Sequence, residues 1–244
     1  FPDQVEKKGG AWQTADGRPV TLGRSEKMSK SKKNVVDPTA ILDKYGADTV
    51  RLFMLSDTPP ERDIDWSNDG LEGAHRYIKR LWNLITGHAE LFNDCANVSS
   101  DEPYSEKNCQ QRKSIHKLLC ALTGDIEECR LNSAVAKFRE MTNLIAEMDN
   151  SSLLRESIII LLNVISPFIP HMAHEMKKIL CIKVDVEWPN ADPDMLIDDK
   201  ITIAVQVNGK VRGEIIITPE ESQSDVEAKA LALPNVKQHI GDGV

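Results

Sequence analysis

At 244 residues the chain is long enough to bury a real core, as one large domain or two small ones. A composition that is 41% hydrophobic and 28% charged is ordinary for a soluble globular protein, and no apolar run reaches the roughly 18 to 20 residues that span a bilayer. The formal net charge of -8 argues against a protein that coats nucleic acid everywhere, so any RNA contact has to come from local basic patches.

Cys95, Cys109, Cys120, Cys129 and Cys181 are odd in number and far apart, with no C-x-x-C among them. That excludes the usual zinc spacings and argues against a disulfide framework, so a reducing, cytoplasmic compartment is the expectation. The sequence starts at Phe1 without an initiator Met or a secretory leader pattern. A natural N-terminal part is therefore expected to lie upstream.

Ala11-Trp12-Gln13-Thr14 and Pro19-Val20-Thr21-Leu22 flank Asp16-Gly17, which predicts a short hairpin. Alone it is too small to be stable and reads as the edge of a larger domain. Glu26-Lys27-Met28-Ser29-Lys30-Ser31-Lys32-Lys33-Asn34 comes next, alternating ammonium groups with small hydroxyls and carrying only Met28 as a large apolar side chain. Such a run cannot bury itself and suits a mobile surface loop. A solvated basic loop is one reading. The other is a segment that closes over a polyphosphate, with lysines as point charges and Ser29 and Ser31 as short donors.

Asp37 as N-cap and Pro38 in the first turn predict a helix to about Lys44 or Tyr45, closed by Gly46. A second helix is expected over 48–56, with Val50, Phe53 and Met54 inward and Pro59-Pro60 ending it. From Ser67, Leu71, Ala74, Ile78, Leu81, Trp82, Ile85, Ala89 and Phe92 recur by threes and fours, which predicts one apolar helical stripe. Arg76, Lys79, Arg80 and Asn83 project from the other side, as a solvated face or as contacts to a nucleic-acid backbone. Further helices are expected from Ser105 to about Cys129, weakened near its end by Gly124, and after a cap at Asn132 or Ser133. Another is expected from Ser152 to Ser166, apolar nearly all round and so central, and a last one over 171–179 after Pro167 and Pro170. Short connections between these helices predict an up-and-down bundle. His171-x-x-His174-Glu175 lacks the H-E-x-x-H order and an obvious third ligand, so no metal site is expected.

Asn190 to Asp194 is polar and Pro-containing, a linker or boundary. Beyond it the period becomes alternating. A two-residue turn at Asn208-Gly209 would mismatch the apolar faces, so a three-residue loop over 207–209, pairing Val205 with Val211 and Ile201 with Ile215, is predicted. That register places Gln206, Lys210 and Arg212 together on the polar face, open to phosphate. Ser222 or Ser224 caps a helix through Ala232, and another element starts at Pro234.

Lys27-Met28-Ser29-Lys30-Ser31 resembles the second signature of class I aminoacyl-tRNA synthetases. The run to Asn34, Asp37-Pro38, and Tyr45-Gly46-Ala47-Asp48-Thr49-Val50-Arg51-Leu52-Phe53-Met54 look like the leucine, isoleucine and valine branch. Val207-Asn208-Gly209-Lys210-Val211-Arg212 looks like the C-terminal domain of the bacterial-type leucyl enzymes, which argues against isoleucine or valine specificity. The resemblance implies ATP-dependent activation of leucine, with Mg2+ accompanying the ATP, and its transfer to tRNA(Leu) by a monomeric enzyme without a membrane partner. It implies Lys27 and Lys30 as catalytic residues and Lys27, Met28, Ser29, Lys30 and Ser31 as the ATP-binding loop. It further implies Arg76, Lys79, Arg80, Lys210 and Arg212 as tRNA contacts.

On the same basis the fold class is mainly α. Residues 1–36 are the end of the catalytic domain with the loop, 37–66 a stem-contact segment and 67–189 an anticodon-binding-like, tRNA-binding bundle. Residues 190–199 form a linker and 200–244 a truncated C-terminal α/β domain. The family's His-x-Gly-His signature is not in the sequence. The chain is therefore expected to be inactive alone, with its loop disordered or in a non-catalytic pose. A non-catalytic tRNA-binding module is the alternative from another class.

Overall fold

Gly9 and Gly10, at φ of 59° and 87°, turn strand β1 (Val5–Lys8) back onto β2 (Ala11–Thr14). Two consecutive positive φ values give the turn whose twist suits a two-residue hairpin, and glycine adopts them without a Cβ penalty. The paired strands thus lie one segment earlier than the Asp16-Gly17 reading placed them. Asp16-Gly17 does turn the chain: the N–H of Thr14 donates to Arg18 O at 2.9 Å and that of Val20 to Trp12 O at 2.8 Å. Among the described residues a single bridge, Gln13 to Pro19, forms there. Pro19 has no N–H to extend a ladder. The computed structural model describes residues 5–21, 23–24, 26–92, 105–182, 187–197, 201–218 and 221–240; Leu22 of the expected hairpin, Cys95, and residues 198 and 199 of the expected linker lie outside these.

Helix α1 (Pro38–Tyr45) starts as predicted, with Asp37 Oδ1 accepting from Thr39 N at 2.9 Å. Gly46, at φ 80° and ψ 156°, forms the joint to α2 (Ala47–Asp57), in a backbone region essentially reserved for glycine. α2 buries Thr49, Leu52 and Phe53, whereas Met54, expected inside, is exposed. The buried stripe runs along the Thr49–Leu52–Phe53 side because α2 packs against both α3 (Asn68–Thr86) and α5 (Leu131–Ala146). A Cβ on Gly70 would sit 2.8 Å from Phe53 Cε2, so α3 reaches α2 closely only through a glycine. Ser67 caps α3, which buries Leu71, Ala74, Tyr77, Ile78, Leu81 and Ile85. Trp82 is half-buried, and Ala89 and Phe92 follow on a separate 3-10 turn.

α4 (Glu106–Glu127), α5, α6 (Ser151–Ile165) and α7 (Pro170–Ile179) complete the bundle. The Val135, Phe138, Met141, Ile145 and Met148 stripe is buried, and α6 is buried nearly all round, as a central helix must be. α5 begins before its predicted cap. At the end of α4, Cys129 takes a left-handed φ of 56°, its N–H donates to Ile126 O, and Arg130 N donates to Asp125 O at 2.7 Å. This corner feeds the chain directly into α5. Ser133 is left to accept from Lys137 Nζ at 3.0 Å instead of capping, while α6, capped by Asn150, starts one residue before the expected Ser152.

The boundary stretch lies along α4. Trp188 Nε1 donates to Thr123 Oγ1 at 3.0 Å, Asp192 N to His116 Nδ1 at 3.2 Å, and Lys113 Nζ to Ile197 O at 3.2 Å. Beyond it, β3 (Ile201–Val207) and β4 (Lys210–Ile217) pair antiparallel, with α8 (Gln223–Ala232) and α9 (Pro234–Ile240) packed against them. Asn208 (φ 53°) and Gly209 (φ 75°) make the two-residue turn, and Val207 pairs with Lys210. The predicted three-residue loop is not what resolves the face mismatch. A bulge at Arg212 does: it shifts the register between Val205 and Gln206, so that Val205 meets Gly213, Ile203 meets Ile215 and Ile201 meets Ile217. The chain is predominantly helical, in agreement with the expected class, and its strands form two antiparallel pairs among the described residues.

Candidate functional site

Residues 26–34 fold into a small closed turn, not the disordered segment that was one of the two expectations. Asn34 closes it from inside: its Oδ1 accepts from Ser29 N at 2.8 Å and its Nδ2 donates to Lys27 O at 3.4 Å. Ser29 Oγ caps a single 3-10 turn, Lys30–Lys32, by accepting from Lys32 N, and lies 3.2 Å from Ser31 Oγ. Lys33 ends the turn at φ 50°. The four lysines are not equivalent. Lys32 Nζ is held by Glu26 Oε2 at 2.6 Å, whereas Lys27 and Lys30 are exposed and make no ion pair among the described residues. Met28 is 41% exposed. The turn therefore presents two uncommitted ammonium groups and two hydroxyls on a backbone fixed by one amide side chain, a donor set suited to phosphate oxygens. Carboxylates and carbonyls, the usual ligands of a hard divalent cation, do not converge there.

The loop leads straight into α1 and, through Gly46, into α2, whose first turns grip the α6–α7 corner. Asp48, 5% exposed, accepts from Met172 N at 2.7 Å and lies 2.8 Å from His171 Nδ1. Arg51 reaches the other side of the corner, donating from Nη2 to Pro167 O at 2.7 Å and from Nε to Phe168 O at 3.3 Å. An anion thus sits at the N-terminus of α7 and a cation on the carbonyls that follow α6, each the favourable sign for that helix end. His171 takes part in this clasp from a largely exposed position, and His174 is exposed.

The basic strip on α3 divides. Arg76 and Arg80 line a groove of about 420 Å³ together with Tyr77, Arg139 and Asn143, while Lys79 lines a different cavity on the other flank of the helix. Arg80 Nη2 donates to Asn143 Oδ1 at 2.7 Å, and Arg76 is only loosely paired, 4.0 Å from Glu72. The Arg139 guanidinium lies 5.1 Å from the Tyr77 ring centroid. Burial first, against the weaker pull of the Thr142 hydrogen bond and nearby arginines, pushes the Tyr77 phenol up to about 12, so it stays neutral. Arg139 was not among the residues singled out in the sequence. It lies off the apolar stripe of α5, and only the packing of that helix brings it to Arg76 and Arg80.

Gln206, Lys210 and Arg212 are not gathered on one face. Lys210 pairs with Val207 and Gln206 with Val211, on opposite faces of the hairpin. Arg212 is the half-buried bulge residue, and its buried Nε has no hydrogen-bond partner among the described residues. Among the described residues no group of three or more His, Cys, Asp or Glu is placed to hold a metal ion, and no helix is long and apolar enough to cross a membrane.

Two family models match the sequence: "Anticodon-binding domain of tRNA ligase" over residues 112–228 and "tRNA synthetases class I (I, L, M and V)" over residues 20–67. Curated relatives include the leucine–tRNA ligases of Wolbachia pipientis wMel, 49% identical over 93% of this chain and 26% of that protein, and of Anaplasma marginale, 46% identical over 99% and 29%. That of Rhodospirillum rubrum is 45% identical over 96% of this chain and 28% of its own length. The chain thus spans between a quarter and a third of these relatives. Among solved structures it is similar to the Agrobacterium radiobacter K84 agnB2 LeuRS in ternary complex with tRNA and LeuAMS. The TM-score is 0.77 and the identity 25%, covering 93% of this chain and 29% of that one.

Proposed function

As a homologue of the leucine–tRNA ligases over nearly its whole length, this chain is, we propose, the part of such a ligase that holds ATP phosphates with a small cationic turn and carries tRNA on a helical bundle. The uncommitted ammonium groups of Lys27 and Lys30, on a turn closed by Asn34, are the observation that carries the reading. Leucine activation joins a carboxylate to the α-phosphate of ATP and expels pyrophosphate, so negative charge builds on the phosphate oxygens in the transition state. Lys30 takes that charge, Lys27 supports it, and Ser29, Ser31 and Met28 shape the turn. Mg2+ comes with the ATP as part of the substrate. The turn opens to release product.

In this reading 1–36 closes the catalytic domain, 37–66 is the stem-contact segment and 67–189 the tRNA-binding bundle, with a connection over 190–199 and a C-terminal domain from 200. The tRNA(Leu) backbone lies along Arg76 and Arg80, with Arg139 added to them and Lys79 on their flank. Lys210 contributes from the hairpin. Arg212, half-buried, contributes chiefly by holding the bulge. The enzyme acts as a monomer in the cytoplasm. In the enzyme that carries this chain, Lys30→Ala lowers leucine-dependent ATP–pyrophosphate exchange by roughly a hundredfold, whereas Lys32→Ala, whose ammonium is already paired, costs much less. Exchange that survives Lys30→Ala undiminished refutes the assignment.

A further inference from the structure

The flank of α3 that carries Lys79 borders a cavity of about 680 Å³ whose use nothing above explains. His75, Ile78, Lys79 and Trp82 follow at the helical spacing that brings them to one wall, with Tyr45 and His171 on other sides. Its floor is the clasp where Asp48 receives His171 and the α7 N-terminus. The Tyr45 and His75 rings meet edge to face, 5.4 Å between centroids, and Trp82 is half-buried. Burial first, then the ammonium groups of Lys79 and Lys44, lower the His75 imidazole below its usual value, so this wall ring is neutral. Lys79 stands exposed at the lip, and the carboxylate that lines the cavity, Asp48, is already engaged.

An aromatic, apolar slot with a cationic lip matches one chemical unit: a flat heteroaromatic ring joined to a phosphate. Unpaired nucleotides of RNA are held in this way, the base stacked on aromatic side chains and the phosphate met by lysine or arginine. The groove with Arg76, Arg80 and Arg139 lies on the other flank of the same helix, so a strand that crosses α3 there can deliver a nucleotide to Trp82. We infer that the cavity bordered by His75, Lys79 and Trp82 is a nucleotide slot, receiving one unstacked base of the bound tRNA with its phosphate on Lys79. The inference rests on the tRNA-binding reading and deepens it.

The test uses the 244-residue chain with its four tryptophans, Trp12, Trp66, Trp82 and Trp188, replaced by 5-fluorotryptophan. Fluorine NMR then reads each indole, and the Trp82 line is assigned from its loss in Trp82→Phe. Addition of a tRNA(Leu) transcript shifts the Trp82 line, and a blunt RNA duplex without unpaired nucleotides does not. Trp82→Ala weakens tRNA binding roughly tenfold, the effect of one stacked base, and Trp82→Phe restores most of it. Lys79→Gln lowers the slope of log K against log salt by about one. Melting curves for each variant separate these effects from unfolding, and the wild-type line shift does not depend on any variant folding. A Trp82 line unmoved by tRNA overturns the slot, as does a line moved equally by the duplex, provided that tRNA binding itself remains sensitive to Arg76→Gln with Arg80→Gln. If the chain binds no tRNA at all, the tRNA-binding reading fails first, and the two failures are told apart.

Discussion

Asn34 holds both ends of the cationic turn with one amide, and nothing else of its size fits that double role: the side chain accepts from Ser29 N and donates to Lys27 O. Aspartate would keep the first bond and lose the second; alanine loses both. Asn34→Ala is therefore expected to leave the bundle's stability unchanged within about 0.5 kcal/mol, since the half-buried amide bonds within its own loop and away from the bundle core. Hydrogen exchange at the Ser29 amide accelerates at least severalfold. Unaltered exchange there means that the amide is not the closure. The corners at Cys129 and Cys181 give a second residue-scale prediction. Both cysteines sit at left-handed φ, 56° and 53°, just past α4 and α7, where glycine is the usual occupant. Cys129→Gly and Cys181→Gly should each stabilise the chain by about 0.5 to 1 kcal/mol, read as a raised urea midpoint, because the Cβ penalty of that conformation disappears.

At the level of elements, the segment Tyr45 to Met54 marks the resemblance, but its strongest contacts are mechanical. Asp48 and Arg51 lie about one helical turn apart and grip opposite sides of the α6–α7 corner. Asp48→Ala leaves the Met172 N–H without its acceptor, while the largely exposed His171 ring can turn to water, which costs about 1 to 3 kcal/mol of unfolding free energy by urea titration. Arg51→Ala costs less, since that side chain is largely in solvent. A destabilisation below about 1 kcal/mol for Asp48→Ala would mean that the corner holds itself. Because α2 also follows the loop through Gly46, the same clasp fixes where the cationic turn stands relative to the bundle. At the hairpin of β3 and β4, the bulge at Arg212 performs the corresponding service, keeping a two-residue turn and still matching Ile203 with Ile215.

For the molecule as a whole, one polar network ties 187–197 to the bundle. Arg112 donates to both oxygens of Glu156, from Nε at 2.9 Å and Nη2 at 2.9 Å, and lies 3.7 Å from Asp192. His116, almost fully buried, accepts Asp192 N–H at Nδ1 and so carries its proton on Nε2, 3.3 Å from Glu156 Oε1. Burial alone would raise the Glu156 carboxyl; the hydrogen bonds from His116 and Arg112 outweigh it and hold the group at about 2, below its ordinary 4.5. A folded-state value below the unfolded one means that this contribution is fully present above about pH 4.5 and is lost as the pH falls through about 2. The contribution is on the order of a few kcal/mol. Glu156→Gln should lower stability at pH 7 and flatten its fall between those two values in urea titrations. A wild-type slope retained in the variant would place the acid sensitivity elsewhere.

Helix positions, the central role of α6, the cap at Asp37, the cationic loop and its family resemblance are all written locally. They depend on periodicity and on residues within a turn or two of each other, which a linear sequence displays directly. Residues distant in the chain meet by rules that the sequence does not carry on its surface. Asp48 finds His171, Arg139 joins Arg76 and Arg80, and Trp82 borders a cavity as well as packing against the core, because helix packing chooses which side of each helix is turned inward. The same holds for Met54, exposed once α2 settled between α3 and α5, and for Lys210 and Gln206, parted because the two-residue turn sets Lys210 opposite Val207 and Gln206 opposite Val211. Local chemistry determined that a cationic turn and a helical bundle exist; only the packing decided which charges stand uncommitted and side by side.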